Sequence, residues 1–211
     1  MSTVTDASSG TQFAGSIGEL NEIRSRHPQR INQLLRARRK RELFGPDGKL
    51  MIIACDHPAR GALSAAGNPT AMASRTDLLD RLVTALTRPG VDGLLATADI
   101  AEDLLMLGAL EEKLVFGSLN RGGLQGSVFE MDDRNTGYDV PGTIEAGFEG
   151  AKMLLRVDLE DPGTVATLER CGQAVTELNR AKLIAMVEPF MSSRFGGKIV
   201  NDLSADAVIK S

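Results

Sequence analysis

Short apolar runs recur along the chain from residue 50 onward, and amphipathic stretches separate them. A short, continuous apolar run is typical of a strand that is buried on both faces of a parallel sheet. The runs include LMIIAC, LVFGSL and LIAMV. We therefore predict five strands, at residues 50–55, 91–97, 114–119, 151–157 and 183–187.

The stretches between these runs carry apolar residues at helical spacing. Leu78, Leu82 and Leu86 mark one such face, and Val165, Leu168 and Cys171 mark another. A further helix is predicted at residues 17–43, broken or restarted at Pro28, and the turn residues 44–48 close it. We predict three segments: a disordered leader at 1–16 that is rich in Ser, Thr and Gly, a helical arm at 17–44, and a partial (β/α)₈ barrel at 45–211, for which the reasons follow.

Alternating strands and helices predict an α/β fold with a parallel sheet. Both an open doubly wound sheet and a barrel satisfy this pattern. Polar residues at the carboxyl ends of the predicted strands favour the barrel, because those ends converge on one mouth there; the residues are Asp56, Asn120, Arg156 and Glu188. We therefore expect a (β/α)₈ TIM barrel truncated after about five β/α units, with the remaining units outside this sequence.

Composition narrows the class of protein. The formal net charge of −4 is unfavourable for general nucleic-acid binding, and no apolar run is long enough to cross a membrane. The first residues lack the basic and apolar regions of a secretory signal. With only two cysteines, a disulfide framework is not expected. The expected setting is the cytoplasm, with neither nucleic acid nor membrane as a partner.

Three charged residues are candidates for acid–base chemistry. Asp56 follows the first predicted strand and could orient a substrate hydroxyl or hold a lysine in its charged state; a loop-capping role is the alternative. Lys152 lies on the fourth strand, where an unpaired buried charge would be costly. Glu188 ends the fifth strand, and Pro189 is expected to stop it. Glu188 could pair with Lys152, either for proton transfer or as a structural ion pair.

Other polar residues are candidate substrate contacts. His57 could act as an acid or base or be structural, and Arg156 shares a strand face with Lys152. Asn120 and Arg121 precede two glycines in a loop that could bind an anion. Metal chemistry of the zinc type is disfavoured because the chain has only two histidines. Nucleotide-binding glycine motifs are absent, and no cofactor is expected.

The segments LMIIACDHPARGAL, GAKMLLRVD and LIAMVEP resemble the first, fourth and fifth strands of class I (Schiff-base) aldolases of the deoxyribose-phosphate and tagatose-bisphosphate type, including actinobacterial aldolase-like barrels. The resemblance covers about residues 45–200. It implies acid–base and orienting roles for Asp56, Lys152 and Glu188. The nucleophilic lysine of that group lies on a sixth strand, which would fall beyond Ser211. The motif DHPARG departs from the Asp-His-Gly and Asp-Gln-Arg-Gly versions of the group.

The resemblance implies a lyase of carbohydrate metabolism that cleaves or forms a carbon–carbon bond in a sugar or sugar phosphate through a lysine imine. Two alternatives stay open: a barrel isomerase that works without an imine, and a partial barrel that binds a sugar phosphate without converting it. The 211 residues alone would be inactive as an imine enzyme. Unpaired edges of the first and fifth strands predict self-association, so a homo-oligomer is expected.

Overall fold

The computed structural model of the chain describes residues 14–120 and 124–211. The predicted leader lies almost wholly outside this range. The α-helices and β-strands are, in chain order, α1 (Ile17–Arg26), α2 (Gln29–Ala37), β1 (Ile52–Cys55), α3 (Arg75–Leu86), β2 (Gly93–Ala96), α4 (Ala98–Met106), β3 (Leu114–Ser118), α5 (Val140–Glu145), β4 (Gly150–Val157), α6 (Gly163–Arg180), β5 (Ile184–Phe195), β6 (Lys198–Asn201) and α7 (Ala205–Lys210).

One six-stranded sheet organises the fold, with the strands in the order β1-β2-β3-β4-β5-β6. The first five strands are parallel to their neighbours, and β6 runs antiparallel to β5. All five predicted strands are present, the first four within about two residues of their predicted bounds, whereas β5 continues eight residues past its predicted end at residue 187. The central strands β2 and β3 are buried along their whole length, as their unbroken apolar runs indicate.

The predicted (β/α)₈ barrel is wrong for this structure. The sheet is an open half-barrel of six mostly parallel strands, with seven α-helices in the described part of the chain. A truncated series of β/α units would place a helix directly after β5. Instead β5 continues to Phe195 and turns back into β6. The polar residues at the strand ends favoured convergence on one mouth, but a curved open sheet brings such ends together as well.

The β5–β6 hairpin is the main local departure from the prediction. Its turn consists of Gly196 and Gly197, both with positive φ, which is the geometry that a two-residue hairpin loop requires. Pro189 does not stop the strand, since it pairs in register with Leu155 of β4. Proline is tolerated in an edge strand, and over Ile184–Met191 the described chain flanks β5 only with β4.

The helical arm packs against the sheet layer instead of standing apart from it. Leu20, Ile23 and Leu34 are buried in the same apolar cluster as α3, α4 and Phe148. Pro28 separates α1 from α2, as predicted. Arg38, whose side chain is fully buried, ties the end of the arm to the carboxylate of Glu149. No helix among the described residues is long and apolar enough to span a bilayer.

Candidate active site

The loop after β1 places two charged side chains, those of Asp56 and Arg60, at the carboxyl end of the strand. Cys55 ends β1, and Asp56 follows it with only 2% of its surface exposed. Pro58 begins a single 3₁₀ turn that ends at Arg60. Gly61 closes the turn at a φ of 80°, a conformation that favours glycine. This turn brings the guanidinium of Arg60 back onto the carboxylate of Asp56 as a buried ion pair.

Lys152 connects three strands of the sheet. Its side chain is 5% exposed, and its Nζ lies 2.9 Å from Oδ2 of Asp56 and in contact with Oε2 of Glu188. β1 and β4 are three strand spacings apart, about 14 Å in a flat sheet. The direct contact between Lys152 and Asp56 therefore requires the sheet to curl around this point. We refer to the three residues as the Asp56–Lys152–Glu188 cluster.

The cluster combines one buried and one partly exposed carboxylate. Burial would raise the pKa of Asp56, but the charges of Lys152 and Arg60, together with their hydrogen bonds, lower it to about 2. Asp56 thus stays ionised at neutral pH. Glu188 has 46% of its side chain exposed. It is therefore the member of the cluster that a ligand can reach.

A cleft of about 280 Å³ opens beside the cluster. Its walls come from the β1 loop, the loop before α5, and strands β4, β5 and β6. The lining includes His57, Arg60, Glu130, Arg156, Glu188 and Asn201. This volume is near the lower end of the range for small-molecule sites, so it suits a compound of a few carbon atoms.

Arg156 lies in the wall of the cleft, two residues along the strand face from Leu154. Its Nη2 lies 3.2 Å from Oε1 of Glu130, and its Nε donates a long hydrogen bond of 3.4 Å to Oδ1 of Asn201. Burial lowers the pKa of Arg156, and the carboxylate of Glu130 opposes that effect. The side chain remains a cation, because guanidinium does not lose its proton in proteins.

Of the other predicted substrate contacts, His57 lines the cleft and Asn120 does not. His57 lines the cleft, half-exposed, with Nδ1 at 3.6 Å from Oδ1 of Asp56. Asn120 is buried, and its amide exchanges two hydrogen bonds with the backbone of Leu154, at 2.7 and 2.9 Å. It extends the β3–β4 ladder and has little left to offer a substrate. Arg121 lies outside the described residues.

Some cleft residues were not predicted as site residues. Arg60 stands four positions after Asp56, and the Pro58 that starts its turn was the available signal. Glu130 lies in the long loop between β3 and α5, which carries no periodic pattern. Asn201 belongs to β6, which has no counterpart in the predicted pattern. Among the described residues no group of three His, Cys, Asp or Glu side chains is placed to hold a metal ion.

Comparison with known proteins identifies the family. A family model described as Cgl0159-like matches residues 48–211. The chain is also similar to the crystal structure of Cgl0159 from Corynebacterium glutamicum (Brevibacterium flavum), with 52% identity and a TM-score of 0.90, over 96% of this chain and 69% of that one. The chain belongs to the Cgl0159-like family. No curated protein matches it, and neither comparison names an activity.

Proposed function

We propose that this chain carries the proton-transfer site of an aldolase-like lyase, which forms or cleaves a carbon–carbon bond in a sugar or sugar phosphate. The observation that supports the proposal is the Asp56–Lys152–Glu188 cluster beside the cleft. Retro-aldol cleavage needs a base for a substrate hydroxyl and an acid for the carbanion that is released. A carboxylate supported by a buried ammonium is suited to both steps.

The three residues have different proposed roles. Glu188 lines the cleft and accepts the hydroxyl proton on its carboxylate. It returns that proton when the carbon–carbon bond has broken. Lys152 positions the carboxylate of Glu188 and stabilises its negative charge. Asp56 is a positioning residue for Lys152, because it is buried and stays ionised.

The class I route needs a lysine whose neutral amine attacks the substrate carbonyl. Lys152 contacts two carboxylates and does not line the cleft, so it is not that nucleophile in this proposal. In this proposal the imine-forming lysine lies beyond Ser211. We place the activity in the cytoplasm, where the free thiols Cys55 and Cys171 would stay reduced.

A non-imine isomerase is the second candidate. It is favoured by the lining of the cleft, to which no lysine of residues 14–120 and 124–211 contributes. Such an enzyme would use Glu188 to move a proton between carbon atoms next to a carbonyl. Both candidates share the removal of a proton near a carbonyl and differ in whether a covalent adduct forms.

The test is isotope exchange by the full-length protein. Dihydroxyacetone and dihydroxyacetone phosphate are incubated with it in D₂O, and loss of the C–H signals next to the carbonyl is followed by ¹H NMR. We expect exchange in the wild type and a loss of about a hundredfold or more in Glu188→Gln, the usual contribution of a general base. Glu177→Gln, an exposed change on α6, is the matched control and should exchange normally.

Borohydride then separates the two candidates. An imine intermediate is trapped as a stable mass increase on the protein, whereas an isomerase without an imine gains no mass. Absence of both exchange and cleavage, with these ketoses and with a panel of aldose and ketose phosphates, would contradict the proposal. That result would favour a binding protein that does not convert its ligand.

A further inference from the structure

Two buried guanidinium groups beside the cleft have unused hydrogen-bonding capacity. The side chain of Arg60 is 6% exposed and that of Arg156 is 12% exposed. Nη1 of each is buried and has no hydrogen-bond partner among the described residues. Both residues line the same cleft. Buried polar groups in proteins are almost always paired, so two such groups at one cleft indicate a missing acceptor.

The remaining contacts of these arginines fix their orientation. Nη2 of Arg60 is bound to Asp56, and Arg156 is held by Glu130 through Nη2 and by Asn201 through Nε. The two partners Asp56 and Glu130 are themselves buried. Both arginines are therefore anchored through their other nitrogen atoms, and Nη1 is the nitrogen left without a partner in each.

We propose that Arg60 and Arg156 bind an oxyanion of the ligand, a carboxylate or a phosphate, in the cleft next to Glu188. Guanidinium groups match the geometry of both anions, and hydrogen bonds between charged partners are the stronger kind. This inference rests on the proposed function for the identity of the ligand as a substrate. The binding itself needs no turnover.

The charges of the site limit the charge of the anion that it can bind. Lys152, Arg60 and Arg156 balance Asp56, Glu130 and Glu188 without a ligand. Three of those six charges already form the Asp56–Lys152–Glu188 cluster, and Glu130 engages only one edge of Arg156. His57 also lines the cleft and adds a positive charge when it is protonated.

The predicted substrate is therefore a small polyhydroxy carbonyl compound with a carboxylate or phosphate within reach of its reacting carbon. The reacting end lies at Glu188 and the anionic end at the two arginines. A neutral sugar of the same length would leave both Nη1 groups without a charged acceptor, so it should bind less tightly.

The test uses three unreactive probes with one three-carbon skeleton: glycerol, glycerate and glycerol 3-phosphate. Their affinities for the full-length protein are measured by isothermal titration calorimetry. We expect glycerate or glycerol 3-phosphate to bind at least tenfold more tightly than glycerol, and the better of the two identifies the anion. Arg156→Met should weaken the anionic probe at least tenfold and leave glycerol unchanged. Arg39→Met, a change to a side chain that is 68% exposed, is the matched control.

Arg60→Met could fail to fold, because Arg60 pairs with the buried Asp56. Arg156→Met removes the cation that pairs with the buried Glu130, so circular dichroism must first show that this variant folds. The comparison of the three probes in the wild type depends on neither variant. Equal affinity for all three probes would overturn the inference, as would anion binding that Arg156→Met leaves intact. Isotope exchange without any anion preference would overturn the inference and leave the proposed function standing. Anion preference that depends on Arg156, in a protein that exchanges no proton, would support the inference and contradict the proposed function.

Discussion

Replacement of Lys152 by methionine should destabilise the protein measurably, because it leaves a buried carboxylate with one cation fewer. Asp56 has a pKa of about 2 in the folded chain, against an ordinary value of 3.8. At about 1.4 kcal/mol for each pKa unit, the difference corresponds to about 2 kcal/mol of stabilisation of the ionised form. Lys152 and Arg60 provide this together. Loss of Lys152 also leaves the side chain of Asp56, 2% exposed, less well compensated, so we expect about 2–3 kcal/mol.

The stability difference between the wild type and Lys152→Met should change with pH, and the pKa of Asp56 gives the direction of that change. The folded-state pKa of Asp56 is depressed, so its stabilising contribution is present above pH 3.8 and is lost as the pH falls toward 2. The difference between wild type and Lys152→Met should therefore be full at pH 7 and shrink below about pH 4. Urea unfolding followed by circular dichroism at pH 7, 5 and 3 measures the difference.

A double-mutant cycle supplies the control. Asp56→Asn removes the carboxylate that Lys152 compensates, so Lys152→Met should cost less in that background than in the wild type. A cost below about 0.5 kcal/mol at pH 7, or a cost that does not change with pH, would refute the electrostatic reasoning. The contact between Lys152 and Asp56 would then be a packing contact with little energetic weight.

Two further predictions concern the framework of the site. Arg38→Met should lower the free energy of unfolding by about 3–5 kcal/mol, since it breaks a buried ion pair. Arg39→Met, at an exposed pair, should lower it by less than about 1 kcal/mol. Urea unfolding of both variants measures the two losses, and equal losses would contradict the prediction. Gly93→Ala should prevent correct folding, because its Cβ would lie 2.3 Å from the carbonyl oxygen of Leu114. A Cβ added at Gly172 on α6 would meet no neighbouring atom within 4 Å, so Gly172→Ala should raise stability by about 0.5–1 kcal/mol. Soluble yield and thermal unfolding distinguish the two glycine variants. A well-folded Gly93→Ala variant would show that β2 and β3 can separate at that position.

The positions of the five parallel strands were predictable because a strand that is buried on both faces consists almost entirely of apolar residues. A run such as Leu114–Ser118 contains no polar side chain before its last residue, and all of it is buried. The sequence contains no comparable signal for whether the sheet closes into a barrel. Curvature depends on strand twist and on how neighbouring strands pack, and the strand-end residues are compatible with a closed barrel and with an open curved sheet.

The candidate site was predictable where charge conflicts with burial. Lys152 lies within an apolar strand, and the expected pairing with Glu188 is present. Arg60 was missed because its side chain returns to Asp56 through a single turn, and a short loop gives no periodic signal. Asn120 was proposed as a substrate contact, yet its amide serves the backbone of Leu154. A polar residue at a strand end can satisfy the sheet itself as readily as a ligand.

The β5–β6 hairpin makes the two sides of the cleft mechanically unlike. On the β4 side, Leu154 is paired with β5 in the ladder and is held on its other edge by the side-chain amide of Asn120. The opposite side is a two-stranded ribbon with exposed apolar residues, among them Phe195 at 80% and Val200 at 50%. A ribbon of this kind opens at lower free energy than a central strand. We therefore expect the backbone amides of this ribbon to exchange with solvent faster than those of β3 and β4.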